Sequence, residues 1–371
     1  MQMGTLQNTP DRNIICSHGE GNDLKFAVGS MIGWHVMMED RNVTKAKLEG
    51  RENLSYFAVF DGHGGPTCSN YCANHLLDCV LNVEGFDANM PTAIERGFLQ
   101  FDDYLRKLDD LKETSGTTAL CVFISEDKYF VANCGDSRAV LWRNNARVFA
   151  TQDHKPNLIS EKLRINAAGG IVQNGRISWG HRSLGVSRAL GDFELKKQSD
   201  KDQLHQILSS QPDVYVQQKD DNDEFMILAS DGVWDVITDE ALCQYVHDTL
   251  LITDDLEEVV KLAIDTCFYK GATDNITLIL ITFKNCPKPT ATAKAADEAL
   301  NKNIEIIFTG IIQEFPNIDY YGILQQLYLV KKIPGLPRGG GIQSKRRFID
   351  QLYRKYFPGF SSNQVVHTNI R

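Results

Sequence analysis

Eight runs rich in Val, Ile, Phe and Tyr recur between Leu24 and Phe283, each short enough for one strand of a β-sheet. These predicted strands are 24–33, 55–61, 118–126, 128–134, 137–143, 213–218, 224–230 and 276–283. Helical periodicity predicts helices at 66–82, 89–110, 157–168, 239–250 and 254–270, with Asp254 at the start of the last one. Because most strands follow one another directly, the pattern predicts antiparallel sheets covered by helices, an α+β fold.

The pattern changes near the Pro-containing segment 286–289, beyond which no strong strand is predicted. Ile304, Ile307 and Ile311 lie on one helical face, and a second apolar stripe runs from Phe348 to Tyr356. The sequence therefore predicts three parts: an N-terminal segment 1–23, a sheet domain 24–286 and a C-terminal helical domain 290–371.

Charge is distributed unevenly along the chain, whose net charge is −9. Residues 331–371 carry nine basic side chains against one acid, so the rest of the chain has a net charge of −17. An acidic body argues against nucleic-acid binding and favours the binding of cations. The basic C-terminal helix, with Lys345, Arg346 and Arg347, could bind an acidic partner, a membrane surface or the protein's own acidic cleft; a solvated helix face is the simpler interpretation.

The 371 residues contain nine cysteines without CxxC pairs, which is typical of reduced thiols in a cytoplasmic or nuclear protein. No apolar run reaches the roughly 20 residues that a membrane-spanning helix needs, so no transmembrane segment is expected. The N-terminus has no signal-peptide pattern. A monomer is expected.

Carboxylates stand where apolar runs begin or end. Asp61 follows one run and Asp231 another, Asp274 precedes a third, and Glu39 with Asp40 closes a fourth. A single acid of this kind is usually a turn residue, but four half-buried sites without matching basic residues favour hard divalent cations. Gly62 and Gly232, which follow two of these acids, permit a sharp turn and a close approach to a ligand, although simple turn chemistry explains them equally well. His63 beside such a site could protonate a leaving oxygen.

An ordered set of motifs from Gly19 to Phe283 resembles the metal-dependent protein serine/threonine phosphatases of the PPM (type 2C) family. The motifs are MED (38–40), FAVFDGHGG (57–65), SGTTA (115–119), NCGDSR (133–138), DHKP (153–156), AGG (168–170), SRALGD (187–192), ASDGVWDV (229–236) and DN (274–275). The C-terminal region resembles the helical domain of the animal enzymes. The resemblance implies a four-layer α/β/β/α sandwich in which residues 24–286 are the catalytic domain and the helical domain is an appendage.

The resemblance also implies a centre of two Mn²⁺ or Mg²⁺ ions. Asp61 would bridge the ions, Glu39 and the Gly62 carbonyl would complete one ion's ligands, and Asp231 and Asp274 the other's. Asp40 would act through water, and Asp136 and Asp235 match positions that hold a weaker third ion. A water bridging the two ions would attack phosphoserine or phosphothreonine of a protein substrate without a phospho-enzyme intermediate, and His63 would assist the leaving group.

The chain departs from the family pattern at His35, where the family usually has an arginine that grips the substrate phosphate. Histidine offers fewer donors, so weaker phosphate binding is expected, with Arg188 as a second candidate phosphate ligand. The departure allows an alternative, a pseudophosphatase that keeps the fold as an interaction module, although the metal-binding acids are retained. A non-catalytic Ca²⁺-binding protein is a further alternative, but no stretch fits an EF-hand loop.

Overall fold

The computed structural model describes residues 6–109, 111, 114–180, 182–198, 200–330 and 333–358. Lys331, Lys332 and Arg371 of the basic C-terminal region lie outside the described residues, as do residues 1–5 of the N-terminal segment. Within this part of the chain, no helix is long and apolar enough to cross a membrane.

The described residues form 17 strands and nine α-helices. The strands are β1 (Leu6–Gly21), β2 (Leu24–His35), β3 (Arg41–Lys45), β4 (Ser55–Phe60), β5 (Gly62–His63), β6 (Gly116–Thr117), β7 (Ala119–Ile124), β8 (Lys128–Cys134), β9 (Arg138–Arg143), β10 (Ala146–Ala150), β11 (Ile171–Gln173), β12 (Arg176–Trp179), β13 (Arg182–Leu184), β14 (Leu190–Gly191), β15 (Asp213–Gln218), β16 (Asp223–Ala229) and β17 (Ile276–Thr282). The helices are α1 (Thr67–Leu81), α2 (Met90–Leu105), α3 (Ile159–Ala167), α4 (Asp231–Trp234), α5 (Asp239–Leu250), α6 (Leu256–Tyr269), α7 (Ala291–Glu314), α8 (Tyr320–Leu329) and α9 (Arg346–Tyr356).

Two large antiparallel sheets form the centre of the fold. One has six strands in the order β1-β2-β17-β16-β9-β10, and the other has five in the order β15-β8-β7-β4-β3. Strand β4 shows why they stack: Phe57 and Val59 point into the core between the sheets, while Tyr56, Ala58 and Phe60 point toward α1 and α2. Alternate residues of a strand face opposite sides, so a strand with both faces apolar must be covered on both.

Helices cover the outer face of each sheet. Helices α1 and α2 share a core with the five-stranded sheet, and α4, α5 and α6 share one with the six-stranded sheet. The predicted four-layer α/β/β/α sandwich is confirmed. The C-terminal helices α7, α8 and α9 pack around a separate core that includes Ile304, Phe308 and Ile349, which confirms the helical appendage.

All eight predicted strands and all five predicted helices of the sheet domain are present, with ends that differ by a few residues. The start of α6 is a correction: its N-cap is Asp255, whose side chain accepts a hydrogen bond from the Glu258 amide, and not Asp254. Residues 6–21 of the predicted N-terminal segment form β1, which pairs along its length with β2. The sequence did not predict β1 as a strand, because it contains many polar residues. An edge strand can be polar, since one of its faces can remain in solvent.

Two small three-stranded sheets lie beside the sandwich. One consists of β5, β6 and β14 and carries His63; the other consists of β11, β12 and β13. The second sheet packs through Ile177 of β12 on a small core that also includes Ile165 of α3 and Val186, which follows β13. The strands of both small sheets are two to four residues long, too short to show periodicity in the sequence.

Candidate metal centre

Three buried carboxylates meet at one end of the two sheets. Asp61 directly follows β4, Asp136 lies in the turn between β8 and β9, and Asp231 begins α4 one residue after the end of β16. One oxygen of each lies within 4.8 Å of the others. Both large sheets therefore contribute to the cluster, and the turns at their strand ends bring the three acids together.

A cavity of about 630 Å³ opens over this cluster. Eight further predicted or motif residues line it besides the three acids: His35, His63, Thr118, Lys155, Gly232, Asp235, Val236 and Asp274. The structure thus brings most of the predicted site residues into one concave site, the usual form of an active site.

The other acids of the predicted site have defined partners. Asp40 Oδ2 accepts a hydrogen bond of 2.8 Å from the Ser230 hydroxyl, and Glu39 Oε1 accepts one of 2.6 Å from the Gly65 amide. Asp274 Oδ1 lies 3.0 Å from His35 Nε2. Gly62 is enclosed, since a Cβ there would lie 2.5 Å from the Glu39 carbonyl oxygen, so a side chain at this position would displace the loop that carries Glu39.

Burial and mutual repulsion raise the pKa values of five carboxyls at the site, those of Asp40, Asp61, Asp231, Asp235 and Asp274. Burial is the main cause for Asp61 and Asp231, whose pKa values lie well above the usual range, and neighbouring acids raise them further. Burial and the charge of Asp274 raise the pKa of Asp40 to about 7. The pKa values of Asp235 and Asp274 are also raised, mainly by burial. The negative charge of the ionised carboxylates would therefore exceed the positive charge that neighbouring protein groups supply.

The donor set fits a hard divalent cation. Asp231 Oδ1 is buried and has no hydrogen-bond partner among the described residues, which is costly unless a cation binds it. Carboxylate oxygens are the preferred ligands of Mg²⁺ and Mn²⁺. Lys155, which donates a hydrogen bond to Asp136 Oδ2, compensates one of the acids. Asp136 was expected at a weaker third site, yet its carboxylate lies in the same cluster as those of Asp61 and Asp231.

His63 faces the cavity from the small sheet and has a carboxylate behind it. Its Nε2 lies 2.6 Å from Asp192 Oδ2. Burial lowers the pKa of His63, but the charge and hydrogen bond of Asp192 outweigh this and raise its pKa above 6.5. Asp192 fixes the ring and favours its protonated form, as a proton donor requires.

Arg188, the second candidate phosphate ligand, does not line this cavity. Its guanidinium binds Glu161 Oε1 at 2.8 Å and Asp213 Oδ1 at 2.8 Å, and so ties α3 to β15. These two acids bind the Arg188 guanidinium away from the cavity, so the structure does not bring Arg188 to the metal centre.

Three residues at the site were not predicted individually from the sequence. Asp192 and Lys155 belong to the SRALGD and DHKP motifs, so the motif positions could have indicated them. Arg176 lines the cavity from β12, and nothing in the sequence around it indicates this position.

The fold and the site together define a class of protein: a sandwich of two antiparallel sheets covered by helices, with a cluster of buried carboxylates at the strand ends. The family model of protein phosphatase 2C matches residues 24–276, and that of the protein serine/threonine phosphatase 2C C-terminal domain matches residues 277–354. The chain belongs to the protein phosphatase 2C family, and the predicted class of enzyme, a protein serine/threonine phosphatase, is confirmed.

Curated relatives extend the similarity over nearly the whole chain. Human protein phosphatase 1B is 39% identical over 378 residues, covering 96% of this chain and 78% of the human protein. Human protein phosphatase 1A is 39% identical over 373 residues, covering 96% of each. A solved phosphatase structure from a pathogenic strain of Toxoplasma gondii covers 74% of this chain with a TM-score of 0.63 and 24% identity, which supports the fold.

Proposed function

We propose that this chain hydrolyses phosphoserine and phosphothreonine in proteins by direct attack of water, in a centre that holds two Mn²⁺ or Mg²⁺ ions. The observation that carries the proposal is the buried cluster of Asp61, Asp136 and Asp231, with an unpartnered Asp231 oxygen, inside a cavity that His63 also lines. The ions would supply positive charge for the phosphate oxygens and a water of lowered pKa.

The protein groups divide the remaining work. Asp61, Asp231 and Asp274, which line the cavity, would hold the ions together with Glu39 and the Gly62 carbonyl. Asp40, which accepts a hydrogen bond from the Ser230 hydroxyl, would act through water. Asp136 and Asp235 would hold the third, weaker ion, with Lys155 bound to the first of these. His63, held by Asp192, would give a proton to the serine or threonine oxygen as the phosphorus–oxygen bond breaks.

Asp231→Asn is the direct test. We expect manganese-dependent hydrolysis of a phosphothreonine peptide by the wild-type protein and a loss of at least about 100-fold in the variant, because one oxygen ligand of the centre is weakened. Titration calorimetry with Mn²⁺ should show weaker binding in parallel. Wild-type activity that is insensitive to metal removal would contradict the proposal. If the peptide carries a labelled phosphate, label that stays bound to the protein after acid quenching would contradict direct attack by water.

The pseudophosphatase alternative rests on one observation, His35 in place of the family's arginine, with its ring 3.0 Å from Asp274. Folded protein that binds Mn²⁺ but releases no phosphate from any phosphopeptide would favour it.

We also propose that the protein is a monomer and that it is located in the cytoplasm or the nucleus. The nine cysteines are all free, as expected for a reducing compartment. Size-exclusion chromatography with light scattering, and imaging of a tagged chain, test the two parts separately.

A further inference from the structure

A buried ion pair lies behind the segment that carries Asp192. Asp102, near the end of α2, binds the ammonium group of Lys196 with both carboxylate oxygens at 2.9 Å. The two side chains are 1% and 2% exposed, so each charge is uncompensated if the other is removed. Neither residue lines the cavity of the metal centre, and the proposed hydrolysis gives the pair no role.

Three bonds tie this pair to the backbone segment 189–196. Asp102 Oδ1 accepts a hydrogen bond of 2.8 Å from the Gly191 amide, and Lys196 Nζ donates one of 2.9 Å to the Ala189 carbonyl oxygen. Lys196 itself ends the segment, so its bond to Asp102 ties that end to α2. The pair therefore fixes residues on both sides of Asp192.

The backbone between these anchors has an uncommon conformation. Gly191 has φ 81° and Asp192 has φ 51°, so two consecutive residues lie in the left-handed region. A residue with a side chain keeps this conformation only where the surrounding structure holds it. The anchors on either side of the turn therefore help to hold Asp192 in place.

The contact between Asp192 and His63 leaves little room for displacement. Both groups lie over Gly116, where a Cβ would collide with Asp192 Oδ2 and lie 2.6 Å from His63 Nε2. A small shift of the segment would lengthen the 2.6 Å contact between Asp192 Oδ2 and His63 Nε2 or misalign it, and a hydrogen bond weakens steeply when misaligned. A proton donor must be held within about 0.5 Å of its productive position.

We propose that the ion pair of Asp102 and Lys196 is a positioning device for His63. It holds the segment 189–196 so that Asp192 orients the imidazole toward the leaving oxygen of the substrate. The inference rests on the proposed function, in which His63 is the proton donor. Neither residue of the pair touches the substrate, so both act through Asp192, and the pair connects α2, a helix of the outer layer, to the proton donor.

Asp102→Asn and the double variant Asp102→Asn/Lys196→Met test the proposal. The single variant leaves the Lys196 ammonium buried without its counter-charge. The double variant removes both charges at similar volume, so it should fold even where the single variant does not, yet it lacks the bond from position 196 to Ala189. Asp103→Asn is the matched control, an exposed acid next to Asp102 on α2. Thermal unfolding would show which variants are folded.

The dependence on the leaving group separates positioning of His63 from general structural damage. In both Asp102 variants we expect kcat with a phosphothreonine peptide to fall about 10- to 100-fold, part of the loss expected without a proton donor. The loss with p-nitrophenyl phosphate should be much smaller, because its leaving group needs no proton, and Mn²⁺ affinity should be unchanged. On a His63→Gln background the same substitutions should cause no further loss with the peptide. Asp103→Asn should match the wild type.

Nitrogen NMR of protein labelled in its histidines observes the ring independently of activity. The signals of His63 are those lost in His63→Gln. Both Asp102 variants should change the chemical shifts of these signals, because the hydrogen bond to Asp192 is altered, whereas Asp103→Asn should leave them in place.

Equal losses with the two substrates, or losses that persist on the His63→Gln background, would overturn the proposal. So would an unchanged peptide kcat or unchanged His63 signals in the folded double variant, because the buried side chains of Phe193 and Leu195 would then suffice to hold the turn. If the wild type hydrolyses neither substrate, the proposed function fails, while the His63 signals still decide whether the pair positions the ring.

Discussion

His63 shows how one residue combines two environments. Its ring reaches the acidic cavity, while its Nε2 is anchored 2.6 Å from Asp192 Oδ2. Asp192 itself has a left-handed backbone with φ 51°, and its amide donates to the Ser115 carbonyl oxygen. The turn that ends the SRALGD motif is therefore bent so that a carboxylate reaches the histidine.

His63→Gln tests the proton-donor role through the leaving group. With a phosphothreonine peptide, kcat should fall about 10²- to 10⁴-fold, because an alkoxide leaves poorly without a proton. With p-nitrophenyl phosphate the loss should be much smaller, since p-nitrophenolate is stable unprotonated. Equal losses with the two substrates would contradict the role, and unchanged Mn²⁺ affinity would show that the metal centre is intact.

Glu161 illustrates a buried charge that serves the fold. It lies on α3 and binds Arg164 and Arg188. Burial alone would raise the pKa of Glu161, but hydrogen bonds and charge from Arg188 and Arg164 lower it from 4.5 to about 2. The ionised form is thus favoured by folding.

The stability contribution of Glu161 should disappear in acid. Because its pKa is lower when folded, the contribution is complete above about pH 4.5 and is lost as the pH falls toward 2. Near neutral pH, Glu161→Gln should lower the free energy of unfolding by about 3 kcal/mol, and the difference should shrink by pH 3. Urea unfolding at several pH values measures this, with the exposed Glu126→Gln as control. A difference independent of pH would contradict the assignment.

Among the elements, the contact of β2 with α6 is unusually close. A Cβ on Gly29 would lie 2.7 Å from Val260 Cγ1 and 2.8 Å from Ile264 Cδ1. These two side chains are one helical turn apart on α6, so they fill the space above the glycine. The helix can approach the sheet this closely because Gly29 has no side chain.

Gly29→Val should therefore destabilise the protein by about 1–3 kcal/mol through overpacking. The matched change is Gly310→Ala on α7, where a Cβ would meet no atom within 4 Å. That variant should be more stable by about 0.5–1 kcal/mol, because alanine favours the helix. Thermal unfolding of both variants checks the pair; a destabilised Gly310→Ala or an unchanged Gly29→Val would show that local space does not govern these sites.

In the whole molecule, the helical domain docks on the catalytic domain through charged groups. Arg347 of α9 binds Asp265, and its Nη1 lies 3.2 Å from Glu258 Oε1, both acids being on α6. Arg338 binds Asp248 of α5 at 3.0 Å. Two of the basic residues of the C-terminal region thus contact acids of the catalytic domain.

The docking also involves β1, which lies at the edge of the sandwich. Arg12 of β1 lies 3.5 Å from Asp350 of α9, and the Tyr269 hydroxyl donates to the same carboxylate at 3.1 Å. Asp350 therefore joins the N-terminal strand, the end of α6 and the last described helix. The segment that follows α6 carries Asp274 into the cavity, so docking and the metal centre share this part of the chain.

Arg347→Ala should weaken the docking. It leaves Asp265, whose pKa burial already raises, without its partner, and we expect a loss of about 1–2 kcal/mol in the free energy of unfolding. Limited proteolysis near residues 284–290 should accelerate. Arg354→Ala, an exposed arginine of the same helix, should change neither measurement. Equal effects of the two substitutions would mean that the pairing with Asp265 does not hold the domains together.

The sequence by itself determined the layers of the fold. Continuous apolar runs such as Ser55–Phe60 require a sheet buried on both faces, and the helical stripes supply the covering layers. It also indicated the acids at strand ends, since local burial makes a carboxylate costly without a cation.

Only the tertiary structure decided which groups share the cavity. Asp136, Arg176 and His63, the last of them held by Asp192, come from different turns and strands, and their convergence depends on how the sheets stack and where the small sheets pack. It also decided that Arg188 belongs to an ion-pair cluster with Glu161. Distances between residues far apart in sequence follow from packing, which local periodicity does not encode.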